Sequence, residues 1–189
     1  MISELKKVEN SNFLPGFALL LLLFLWGCGD PIVIPGSDDS PPTVQLIITG
    51  VGTEVITLYE DSEPLEISGP LDLNQRILMT ARAMDSDGGV KNVILRGEVV
   101  LNCVDTHLDL GLRQYQSYLA DNPDDASIGE EARTVRTTAI DLPLRKLAQT
   151  CERSSGSYII TSVSGSFSAT AVNFHGGTAR TAVFNFNYR

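Results

Sequence analysis

The stretch ILMTARAMDSDGGVKNVIL, residues 77–95, decides how the rest of the chain is read. In its first half Ile77, Met79, Ala81 and Ala83 interleave with Leu78, Thr80, Arg82 and Met84. A period of two puts one set on each side of the backbone, so the pattern predicts a half-buried β-strand rather than a helix. Asp85-Ser86-Asp87-Gly88-Gly89 then predicts a turn, because an Asp carboxylate caps its own backbone and Gly accepts a positive φ. Beyond the turn Val93, Leu95, Val99, Leu101 and Cys103 fall on one side of a long extended segment, with Gly97 a candidate bulge.

The same logic extends in both directions. Upstream, Val44, Leu46 and Ile48 alternate with Gln45 and Thr49, and the strand they predict ends at Gly50-Val51-Gly52. Downstream, Phe167, Ala169 and Ala171 alternate with Ser166, Ser168 and Thr170. The turn His175-Gly176-Gly177 follows, and then Ala182, Phe184, Phe186 and Tyr188 alternate with Thr181, Asn185 and Asn187. Two alternating ribbons joined through Gly-Gly predict a hairpin. Strands of this kind at both ends of the chain point to an antiparallel sandwich whose apolar faces pack about 10 Å apart.

These stretches also carry a family likeness. Residues 77–95 resemble the second and third strands of immunoglobulin-like modules in bacterial surface proteins, where Asp-x-Asp-Gly-Gly leads into a Val-rich strand. GSFSATAVNFHGGTARTAVFNFNY, residues 165–188, resembles their closing hairpin, and PPTVQLIITG, residues 41–50, their first strand. The likeness implies a mainly β, antiparallel immunoglobulin-like β-sandwich over residues 43–189. It implies little about activity, since such sandwiches host many unrelated roles.

Residues 104–157 depart from that module and read as a partly helical insertion. In HLDLGLRQYQSYLADNPDD, residues 107–125, Leu108, Leu112, Tyr115 and Leu119 stand at helical spacings and Asn122-Pro123 ends the run, which predicts a short helix. IGEEARTVRTTAIDLPLRKLAQT, residues 128–150, predicts a strand from Val135 to Leu142 and a turn of helix ending near Cys151. Loops and insertions on a rigid sandwich carry recognition, so specificity is expected here.

The N-terminus sets the location. Lys6 and Lys7 precede the apolar run Phe17 to Trp26, which is about half the roughly 20 residues a membrane-spanning helix needs and fits a signal-peptide core. Leu25-Trp26-Gly27-Cys28 resembles a bacterial lipobox, with the bulky Trp26 at a position that family fills with small residues. The likeness implies a lipoprotein signal peptide over 1–27, cleavage before Cys28 and acyl chains on the Cys28 thiol and amino group. Gly29 stands where an Asp would favour retention at the inner membrane of a Gram-negative cell, so the implied address is the outer membrane there, and the cell envelope in any host. Residues 28–42 read as the lipidated Cys28 followed by a tether rich in Pro, Gly, Ser and Asp, residues 29–42, that reaches roughly 45 Å at about 3.3 Å per residue.

With Cys28 given to lipid, Cys103 and Cys151 remain as a candidate disulfide in an oxidising compartment; the alternative is two reduced, buried thiols. Their spacing from each other and from His107 and His175 does not match a zinc site. The net charge of −9 argues against nucleic acid as a partner, because binding phosphates needs a basic face. Asp85 and Asp87 are the best hard-oxygen candidates for Ca²⁺, with Asp121, Asp124 and Asp125 as further donors if the insertion folds over the turn, although turn formation alone explains the first pair. His107 lies between Asp105 and Asp109 without a recognisable nucleophile, and the serines from Ser154 to Ser168 lack a nucleophile elbow. No catalytic residue and no cofactor is therefore assigned. The expectation is a lipid-anchored, non-catalytic binding or structural module that meets an envelope protein or glycan. The alternatives are a hydrolase built in the insertion and a Ca²⁺-stabilised adhesive module.

Overall fold

The computed structural model describes residues 40–105, 113–127, 132–152 and 158–189. The signal segment, Cys28, most of the tether, His107, Leu108, Asp109, Leu112 and Ser154 lie outside the described residues. The elements run β1 (Thr43–Thr49), β2 (Ile56–Leu58), β3 (Leu65–Gly69), β4 (Arg76–Met84), β5 (Val90–Asp105), β6 (Arg113–Asp125), β7 (Val135–Pro143), α1 (Leu144–Glu152), β8 (Tyr158–Asn173), β9 (Thr178–Arg180) and β10 (Phe184–Tyr188).

The strands form two sheets that face each other. One has the order β2-β1-β4-β7, the other β3-β10-β8-β5-β6 with β9 beside β8. With β1, β4 and β7 in one layer and β5, β8 and β10 in the other, this is the strand division of an immunoglobulin-like sandwich. Every pairing is antiparallel except that of β3 with β10. The alternation read from the sequence is the alternation of burial. Val44, Leu46 and Ile48 of β1, Ile77, Met79, Ala81 and Ala83 of β4, and Val93, Leu95, Val99, Leu101 and Cys103 of β5 all enter one core. Each large aliphatic or aromatic chain buried there contributes about 1.5–3 kcal/mol of transfer free energy, which is why the register is fixed.

Two expectations are corrected. The described part of the expected helix, Arg113–Asp125, is a strand that pairs β5 from Val104↔Arg113 to Asn92↔Asp125. Tyr115 and Leu119 are four apart, an even step, so the spacing that suits a helix equally keeps them on one face of a strand. Pro123 does not end the element because β6 is a terminal strand, where a missing N–H leaves no ladder bond unmade. Gly97 is not a bulge either. The β5–β8 register shifts between Val90 and Asn92 and between Asn102 and Cys103, and is regular at Gly97↔Phe167. A Cβ at Gly97 would run into the Phe167 ring and the Ser166 carbonyl. Likewise a Cβ at Gly165 would lie 2.5 Å from the Phe186 ring. Each glycine thus makes room for the aromatic ring opposite it, and Phe167 and Phe186 stack with centroids 6.3 Å apart.

The expected closing hairpin is present but broken in its second arm. β9 and β10 are separated at Thr181, whose hydroxyl accepts the Ala169 N–H at 3.0 Å while its own N–H donates to the Ala169 carbonyl at 2.9 Å. The sheets also differ in length. β5 and β8 have 16 residues each, whereas β1 has 7 and β4 and β7 have 9. The overhanging end of the longer sheet would expose Leu101 and Cys103, and α1 covers it with Leu144, Ala148 and Cys151, spaced for one helix face. Cys151 is disulfide-bonded to Cys103 with the Cα atoms 6.2 Å apart, an ordinary separation for such a bond.

Candidate functional site

The end of the sandwich where β1 begins holds the Asp85–Gly89 and His175–Gly177 turns singled out above. At the β4–β5 turn the Asp85 carboxylate is already engaged. Its Oδ1 accepts the N–H groups of Asp87 at 3.1 Å and Gly88 at 2.6 Å, and its Oδ2 accepts from Asn173 Nδ2 at 3.2 Å. Asn173 is fully buried and works in both directions. Its Nδ2 also donates to the Ser40 carbonyl at 2.8 Å, while Oδ1 accepts from the N–H groups of His175 at 3.1 Å and Gly177 at 2.7 Å. One amide thereby fastens the β8–β9 turn, the β4–β5 turn and the start of β1 together. A shallow cavity of about 370 Å³ opens beside them, lined by Ser40, Thr43, Asp85, Ser86, Asp87 and Thr134. A second of about 450 Å³ lies between Pro41, Pro42, Val44 and the Tyr59–Asp61 corner.

The acidic residues of β6 do not join this loop. Asp121 pairs with Arg96 at 2.8 Å, Asp125 accepts from Asn92 Nδ2 at 2.7 Å, and Asp124 pairs with Arg136 at 3.2 Å. Arg136 points inward from β7 and is 2% exposed. Its Nε donates to the Val90 carbonyl at 2.8 Å and its Nη1 to Asp124 and to the Asp125 carbonyl at 3.4 Å, so one guanidinium bridges the two sheets. Thr138 and Asn122 continue the seam: the Thr138 hydroxyl donates to the Asn122 carbonyl at 2.9 Å, and Asn122 Nδ2 to the Ala139 carbonyl at 2.7 Å. Among the described residues no three His, Cys, Asp or Glu side chains converge as a metal site, and no helix is long and apolar enough to cross a membrane. His175 is exposed at its turn.

At the opposite end, beside the disulfide, Gln75 Nε2 donates to the Gly50 carbonyl at 2.9 Å and to the Tyr188 hydroxyl at 3.0 Å. Burial pushes the Tyr188 phenol above its ordinary pKa, and the Gln75 hydrogen bond opposes that in part. On the surface Arg76 grips Asp141 with two hydrogen bonds of 2.7 and 2.6 Å. The grip holds the Asp141 carboxyl below the usual carboxylate range and raises the guanidinium.

Of the residues singled out in the sequence, the structure joins Cys103 to Cys151 and sets Asp85 and Asp87 in one turn, but spends the Asp85 carboxylate on that turn's own amides. Cys28 and His107 lie outside the described residues. Two organising residues were not anticipated. Asn173 carried a usable signal, an Asx residue just before a Gly-Gly turn, whereas Arg136 sits in an alternating strand with nothing to mark it as the inward member.

No family model matches the chain, and no curated protein matches it. Among solved structures it is similar to the N-terminal domain of PorA, at 11% identity over 77% of this chain and 98% of that one, with a TM-score of 0.28. A likeness that distant transfers neither function nor site.

Proposed function

We propose that the protein is a lipid-anchored module of the bacterial cell envelope that binds or scaffolds a protein or glycan without catalysis. The observation that carries this reading is the Cys103–Cys151 bond. It pairs two of the three cysteines in a manner suited to an oxidising compartment and leaves Cys28, in its lipobox-like setting, for acylation. The order of the chain adds to it. The tether joins β1 at Ser40, and its reach of roughly 45 Å at about 3.3 Å per residue lets the sandwich stand clear of the membrane. Two or three acyl chains hold a protein stably at about 0.8 kcal/mol per buried methylene. The Asp85 turn, with its carboxylate taken by backbone amides, favours a structural role over a Ca²⁺ site. Mass spectrometry of protein purified from native membranes tests the assignment. Acylated Cys28 as the first residue is the expected result, with Cys28→Ala shifting the protein out of the membrane fraction. An unmodified chain beginning at Met1 overturns it.

A further inference from the structure

The two sheets end in four terminal strands, and one of them is unlike the rest. β2, β3 and β7 have 3, 5 and 9 residues, whereas β6 has 13. Among the described residues no strand lies on the outer edge of β6. A long free edge offers a row of backbone N–H and C=O groups to any extended chain, and proteins blunt such edges with Pro and charge. β6 is blunted only in the half near the Ser40 end, by Asp121, Pro123, Asp124 and Asp125. The other half, RQYQSYLA from Arg113 to Ala120, holds no Pro and one charge, and Leu119 within it is 86% exposed.

We propose that two copies of the chain join through these edges, antiparallel, about a two-fold axis at Ser117. That register sets Arg113 of each copy opposite Asp121 of the other and Tyr115 opposite Leu119. Alternation puts positions 113, 115 and 117 on the same face of the strand as Leu119 and Asp121, which are exposed opposite Glu98 and Arg96 of β5. Charge selects this register over its neighbours. Moving the axis to Gln116 sets Arg113 against Leu119, and moving it to Tyr118 sets Arg113 against Pro123, which has no N–H to give. In the chosen register Arg96, Asp121 and the second copy's Arg113 stand in one row, with opposite signs adjacent. The contact is self-complementary and closes at two copies.

The test uses the detergent-solubilised full chain. Ser117→Cys puts a thiol beside its own copy, so mild oxidation is expected to give a covalent dimer on a non-reducing gel. Ser166→Cys, on the same face but two strands inward, is expected to give none. By sedimentation, Arg113→Asp and Asp121→Arg are each expected to weaken association about ten-fold, since each sets like charges opposite one another, and inverting the whole row (Arg96→Asp, Asp121→Arg and Arg113→Asp together) is expected to restore it. Equal cross-linking at the two positions overturns the proposal, as does a whole-row inversion that fails to restore association. Capture of a different protein by the Ser117→Cys thiol also overturns it in favour of a foreign strand on the same edge.

Discussion

The two ends of the sandwich are closed by opposite means. At the Ser40 end the closure is polar: Asn173 ties two turns to the start of β1, and Arg136 bridges the sheets with hydrogen bonds to Val90, Asp124 and Asp125. At the other end it is apolar and covalent, a nine-residue helix laid on the overhang of the longer sheet and bonded through Cys151 to Cys103. The difference follows from sheet length. Where the sheets end together, backbone groups crowd the rim and need hydrogen-bond partners. Where one outgrows the other, an apolar face is left uncovered and needs a lid.

Damage to each end therefore has a different signature. The largest effect is expected from replacing both Cys103 and Cys151 by Ser. Opening a loop of 48 residues' separation returns denatured-state entropy worth about 4 kcal/mol, readable as a lower urea midpoint. Hydrogen exchange should speed up first in α1 and the adjoining ends of β5 and β8, leaving Val90 and Asn173 protected; uniform acceleration would erase the distinction between the ends. Arg136→Ala comes next, at about 3 kcal/mol, because it strips a buried charge from its partners and leaves Asp124 and the Val90 carbonyl uncompensated. Asn173→Ala should cost about 2 kcal/mol for the amide's lost bonds and loosen both turns of the Ser40 end, with α1 unchanged by exchange.

Two titrations sharpen the picture with smaller effects, both at the disulfide end. The Tyr188 pKa is raised in the folded protein, so the stability it confers is complete below the ordinary tyrosine range of ~10 and is lost as pH rises through the folded value. Thermal melts should fall at alkaline pH in the wild type and fall less in Tyr188→Phe. The Asp141 pKa is lowered, so its contribution is present above the ordinary carboxylate range and fades as pH drops through the folded value. The pair is solvent-exposed and its effect is the smallest here. Asp141→Asn should flatten only the acid limb of the melting curve.

Much of the fold was legible in the chain because burial writes itself as a period of two. β1, β4, β5, β7, the start of β8's apolar series at Phe167 and the aromatic β10 all carry it, and Asp85–Gly89 announces its turn. What stayed hidden depends on neighbours that a sequence does not name. Pairing β3 beside β10 in parallel leaves no local mark. The β6 segment satisfied a helical template and a strand equally, and only its thirteen-residue ladder with β5 decides between them. Gly97 looked like a bulge because a glycine breaking an apolar series has two explanations, and the ring that fills its space belongs to Phe167, seventy positions away. The disulfide was available from cysteine arithmetic. The polar closure was not, since Arg136 in VRTTAIDL looks like any solvent-facing member of an alternating strand.

The strap between Cys103 and Cys151 also has a bearing on when the protein matures. Its sulfurs meet only after α1 has settled on the overhang, and they join only where an electron acceptor is supplied. A chain held under reducing conditions would be without its firmest fastening, and so easier to unravel. Its final rigidity would be acquired only on oxidation.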